Sequence, residues 1–99
     1  MTHNRDVIIN GILLFITGRD GHYNEWYIGT SVDAPGRLSN RHHVQEGRDQ
    51  FTIFTAESAG DAIAIKEFFM DRVGLHGDDL MDHTAAQVYV YRKTVDTVP

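Results

Sequence analysis

Tyr27 lies in an aromatic stretch, Trp26-Tyr27-Ile28-Gly29-Thr30-Ser31, and the chain's densest cationic run, Arg37-Leu38-Ser39-Asn40-Arg41-His42-His43, starts eight residues beyond Gly29. A Tyr hydroxyl donates a hydrogen bond, and an Arg guanidinium pairs bidentately with phosphate oxygens. The stretch therefore has the groups to present a Tyr and an Arg to a phosphate. The same residues also compose an ordinary strand-to-helix junction with a capped turn.

Other reactive side chains point less clearly to a site. The six His occur as His3, His22, His42-His43, His76 and His83, without the i,i+4 spacing of a helical zinc pair. On a helix His42 and His43 face different directions, and most of the six read as solvated. Asp78, Asp79 and Asp82 lack the turn Gly and terminal Glu of a calcium loop and read as a solvated acidic connection. Gly18, Gly21 and Gly29 lack phosphate-loop spacing, and Ser39 and Ser58 are explained by helix position or capping.

Ninety-nine residues, 41% of them hydrophobic, suit one domain over residues 1–99. The lack of Cys excludes thiolate metal sites and favours a reducing, cytoplasmic setting. The apolar run at residues 7–16 is far shorter than the ~20 residues of a membrane helix, and residues 1–6 lack a signal peptide's basic region. No membrane partner is expected. A formal charge of −5 argues against a surface that embraces nucleic acid throughout. The charge is uneven, however. Residues 37–48 carry Arg37, Arg41 and Arg48 against Glu46 alone, whereas residues 57–82 hold seven acidic groups against Lys66 and Arg72.

These residues must be positioned by a few short elements. Residues 7–17 (VIINGILLFIT), rich in β-branched and aromatic types, predict a buried central strand. Gly18-Arg19-Asp20-Gly21 predicts the turn of a hairpin to a second strand at residues 25–30. Asp33 caps a helix over residues 34–43 with Pro35 in its first turn, which sets Arg37 and Arg41 on one face and Leu38 and His42 on the adjacent one. Residues 50–55 alternate as a strand. Ser58 then caps a helix whose stripe Ala62, Ile65, Phe69 and Val73 is core, ended by Gly74. Residues 86–91 alternate again, with Val88 and Val90 opposite Tyr89 and Tyr91, and a loose tail follows. The expected class is α+β, a mainly antiparallel sheet in the order β-β-α-β-α-β with flanking helices.

Tyr27-Ile28-Gly29, the following Thr30-Ser31-Val32-Asp33, and Arg37 at its offset from Gly29 resemble the GIY-YIG domain, a catalytic module of certain DNA-cleaving enzymes. The resemblance covers about residues 11–73 and leaves residues 86–92 as an added or edge strand. It implies a phosphate-facing site in which Tyr27 and Arg37 stand beside a divalent metal, Mg²⁺ or Mn²⁺, held by a helix Glu. Two positions depart from that pattern. The motif's first half falls at Gly11-Ile12-Leu13, so Leu13 occupies the place of a Tyr and offers no hydroxyl. At the metal-binding position stands Lys66, with Glu67 one residue late and about 100° around a helix. Lys66 there would repel a dication yet could hold a phosphate.

Three readings follow. The first is a divergent, non-catalytic binding module that contacts nucleic acid through Arg37, Arg41, His43, Arg48 and Lys66. A second is a small metal-dependent DNA endonuclease using Tyr27 and Arg37, His42 or His43 as base, and Glu67 as metal ligand. The third is a protein-interaction or self-associating domain, a homodimer included, built on exposed Tyr89 and Tyr91.

Overall fold

The computed structural model describes residues 1–19 and 22–99. Three helices and three strands alternate: α1 (Arg5–Thr17), β1 (Trp26–Ser31), α2 (Ala34–Asn40), β2 (Phe51–Thr55), α3 (Ala59–Phe68) and β3 (Gln87–Arg92). The α+β class and the antiparallel sheet agree with expectation, but the first element does not. Residues 5–17 form a helix, so the predicted hairpin is absent; Asp20 and Gly21, the middle of its turn, lie outside the described residues. Helical signals at this position override strand propensity. Asn4 caps the helix by accepting from the Val7 N–H at 2.9 Å, and Ile8, Ile12 and Ile16 recur every fourth residue as its buried edge. β-propensity is a weak prior once such a stripe finds a partner surface.

The sheet order is β1-β3-β2, with both pairings antiparallel. The C-terminal strand is thus the centre of the sheet and not the edge extension expected for it. Period-2 alternation sends its side chains to two cores. Val88 and Val90 join Trp26, Ile28, α1 and α3 on one face, where Ile65 and Phe69 from the predicted stripe are fully buried. Tyr89 and Tyr91 join Tyr27, Ala34, Leu38 and Val44 on the other, under α2.

The remaining boundaries shift for local reasons. Asp33 accepts from the Gly36 N–H and Pro35 sits in the first turn, as predicted, but α2 stops at Asn40. His43, two residues beyond the C-cap Arg41, adopts φ 57° and turns the chain toward Val44. After α3, Ile65 and Lys66 carbonyls close on Phe69, a wide turn spans Phe69–Val73, and Gly74 at φ 102° terminates it in the left-handed region. The expected loose tail is pinned at one point: the Val98 N–H donates to the His42 carbonyl at 2.8 Å, and Thr97 is buried. No helix of the described residues is long and apolar enough to cross a membrane.

Candidate functional site

The α2 face of the sheet gathers most of the residues the sequence singles out. Tyr27, near the start of β1, is 6% exposed, and its hydroxyl donates to Asp78 Oδ2 at 3.3 Å. Its ring stacks on Tyr91 with centroids 5.3 Å apart and lies 4.9 Å from the His42 ring. Asp78 reaches this point because the segment after α3 runs along the free edge of β1, where His76 exchanges backbone hydrogen bonds with Trp26 and Ile28. The acidic connection is therefore not uniformly solvated. Asp78 is half-buried and was missed as a site residue because its partners lie 12 and 51 positions away.

Lys66 is the second anchor of this corner. Only 3% exposed, its ammonium donates to Asp78 Oδ1 at 2.9 Å and to the Leu80 carbonyl at 2.5 Å. Burial works to push the Asp78 carboxyl up, but Lys66, the Leu80 N–H and the Tyr27 hydroxyl together hold it below the usual Asp range. The Tyr27 hydroxyl is pushed up to about 12, first by burial and then by the adjacent Asp78 charge. Glu67, the expected metal ligand, is exposed on the next helical position and takes no part in the Tyr27–Asp78–Lys66 chain. Among the described residues no group of three or more His, Cys, Asp or Glu side chains is placed to hold a metal ion.

His42 is the largest departure from a surface residue. It is 1% exposed, with Nδ1 2.6 Å from the Val98 carbonyl and Nε2 2.8 Å from the Tyr89 hydroxyl. A carbonyl only accepts, so Nδ1 carries the proton; the neutral ring then accepts at Nε2 and Tyr89 donates. The Tyr91 hydroxyl also donates to the Val98 carbonyl at 3.1 Å. A base for water must meet water, and this imidazole does not. Tyr89 and Tyr91, at 1% and 0% exposure, are likewise unable to form the expected exposed aromatic surface. Burial pushes both of their hydroxyls up.

Burial also lowers His42 below its ordinary value of 6.5, reinforced by Arg41 and Arg37 and opposed by the Val98 carbonyl and Asp78. The unfolded chain therefore takes up a proton that the folded ring declines once pH falls below 6.5. Stability carried by neutral His42 is complete above that pH and is lost as pH drops toward the lowered folded value. Thermal melts at pH 7.5 and 5.5 should show a decrease at the lower pH that His42→Phe removes; an equal decrease in the variant would exclude His42 as its source.

Arg37 and Arg41 stand over this layer from α2 and its C-cap, as their four-residue spacing predicts. Arg37 is half-buried and Arg41 exposed, and the charges of both act on Tyr27 and His42. Arg48 is differently placed: its guanidinium is 2.7 Å from Asp49 Oδ2 and donates to the His43 carbonyl. His43 is exposed beside it. Leu13 lies on the far side of the sheet, packed against the α1–α3 core. Fold and site together define a small α+β domain with a cationic helix above a buried tyrosine layer. No family model, curated protein or solved structure matches the chain.

Proposed function

We propose that this is a GIY-YIG-like domain that binds nucleic acid without cleaving it, using Arg37 and Arg41 above the Tyr27–His42–Tyr89 layer. The observation that carries the reading is the state of Lys66. Its buried ammonium stands where the resemblance expects a metal-binding carboxylate, and Asp78 already neutralises it. A dication would have to compete with the Lys66 ammonium for the Asp78 carboxylate. The cationic groups left to meet an anion are those of α2 and its C-cap, with Arg41 exposed and Arg37 half-exposed. Arg48 contributes less because Asp49 holds it.

The tyrosines support binding over chemistry for the same reason. With its hydroxyl pushed up to about 12, Tyr27 stays protonated at neutral pH and serves as a hydrogen-bond donor, not as a base. The endonuclease alternative needs Glu67 beside Tyr27 and an accessible His base; Glu67 stands outside the Tyr27–Asp78–Lys66 chain and His42 is buried, which leaves only His43 for the base. Burial of Tyr89 and Tyr91 weighs equally against the self-association alternative.

Fluorescence anisotropy with a labelled DNA duplex tests the proposal. Affinity should fall as salt rises, and Arg37→Ala with Arg41→Ala should reduce the slope of log K against log salt by about two and the affinity at least tenfold. Binding that ignores both salt and these substitutions would remove the reading. Incubation with Mg²⁺ or Mn²⁺ should leave supercoiled DNA intact; cleavage abolished by Glu67→Ala would restore the enzymatic alternative.

A further inference from the structure

We propose that the outer edge of β2 is an interface through which a second copy of this chain extends the sheet. The surface is separate from Tyr89 and Tyr91, and the pairing does not depend on the nucleic-acid reading.

The two edges of the sheet are finished differently. β1 is buried along its whole length, and the segment through His76 covers its outer side. Every residue of β2 is only half-buried. The Arg92 N–H donates to the Gln50 carbonyl and the Ala56 N–H to the Ala86 carbonyl, so the even-numbered residues of β2 turn their backbone groups to β3. Phe51, Ile53 and Thr55 therefore turn theirs outward. Among the described residues the one backbone bond made there is at the far end, where the His3 N–H donates to the Thr55 carbonyl at 2.9 Å. Free edges are commonly blunted by Lys, Pro or a bulge, yet Phe51-Thr52-Ile53-Phe54-Thr55 carries no charge, Pro or Gly.

A second copy fits this edge better than an unrelated extended peptide. With Thr52 on a two-fold axis, antiparallel pairing sets Phe51 against the partner's Ile53, joins the backbone groups of both residues reciprocally and leaves His3 in place. No charge on the strand is buried by it. The apolar surface also continues beyond the strand. A Cβ on Gly11 would stand 2.7 Å from Phe54 Cζ, which places α1 over β2. Around that helix Val7 and Leu14 lie about 40° and 60° from Gly11, on the side away from Arg5, whose guanidinium pairs with Asp61 of α3. They are 48% and 74% exposed and flank the open edge. The two-fold brings α1 against the partner's α1 and covers both side chains; a lone peptide strand would leave them bare. The axis stands perpendicular to the sheet, so α2 of each copy lies on the same face. In the binding reading this doubles the cationic surface offered to one duplex.

Sedimentation equilibrium of the full chain, without DNA, tests the pairing. The mass should rise with concentration from one chain to two and no further, and amide hydrogen exchange at Phe51 and Ile53 should slow as the dimer fills. Leu14→Glu changes an exposed side chain and should raise the dissociation constant about tenfold or more. Ile53→Lys should do the same, and Leu14→Glu carries the test if circular dichroism shows that Ile53→Lys fails to fold. Met81→Glu, at an exposed apolar residue of the connection after α3, should leave the dimer unchanged. A single-chain mass up to about 1 mM, the weak end of specific association, would overturn the inference. So would growth beyond two chains, exchange at Phe51 and Ile53 that ignores concentration, a dimer that Leu14→Glu leaves intact, or one that Met81→Glu dissolves. Failure of the wild-type chain to bind DNA would remove the binding reading and leave the pairing standing.

Discussion

Gly29→Ala is expected to destabilise the domain by about 3 kcal/mol or more, the upper end for forcing a group into a packed interior. The new methyl would penetrate the hydroxyl oxygen and Cζ of Tyr89. Neither partner can yield. Tyr89 is 1% exposed and tied to His42, while β1 is pinned by β3 on one side and by the His76 backbone on the other. The need for Gly here is steric: the neighbouring strand brings a ring over the backbone, and only a residue without Cβ leaves room. Urea denaturation of Gly29→Ala, Tyr89→Ala and the double variant tests this. Tyr89→Ala opens a cavity of its own, but in its presence the Gly29→Ala penalty should vanish. Equal penalties in both backgrounds would show that the clash is not with Tyr89.

Lys66→Ala is the second large effect, expected at about 2 kcal/mol. Removing one partner of a fully buried ion pair costs about 3–5 kcal/mol, and the figure is discounted here because Asp78 keeps partial contact with water. The loss has two parts. Asp78 would be left half-buried with only the Tyr27 hydroxyl and the Leu80 N–H as donors, and the Leu80 carbonyl would lose its ammonium partner. Lys66→Ala combined with Asp78→Asn should recover part of the stability, since the uncompensated charge is gone. The pH dependence has a definite sign. The Asp78 carboxyl is lowered in the folded state, so its contribution is present above the ordinary Asp value and is lost as pH falls through the folded one. Lys66→Ala should flatten that acid limb in melts taken below pH 5; an unchanged limb would show that Lys66 does not govern Asp78.

The first element and the last strand depart from expectation for different reasons. In residues 7–17 the β-branched content masks the four-residue spacing of Ile8, Ile12 and Ile16 and the cap at Asn4. Both signals are in the sequence. The placement of residues 87–92 is not, because strand order depends on which faces find each other after the helices pack. The consequence is chemical as well as topological: a tyrosine strand assigned to the edge becomes the centre of the sheet, and its rings become the floor of the site.

Local order was therefore legible: the caps at Asp33 and Ser58, the left-handed Gly74, the core stripe of α3, the shared face of Arg37 and Arg41, and the two-faced alternation of Val88 to Tyr91. Each depends on residues within about one or two turns of one another, whose geometry the backbone dictates. The pairings of Lys66 with Asp78, Tyr27 with Asp78 and His42 with Tyr89 span 12, 51 and 47 positions, and nothing in the spacing of the chain announces them. Only packing brings those groups together, and burial then turns a surface histidine, a helix lysine and a loop aspartate into two hydrogen-bonded clusters joined through the stacked rings of Tyr27, His42 and Tyr91.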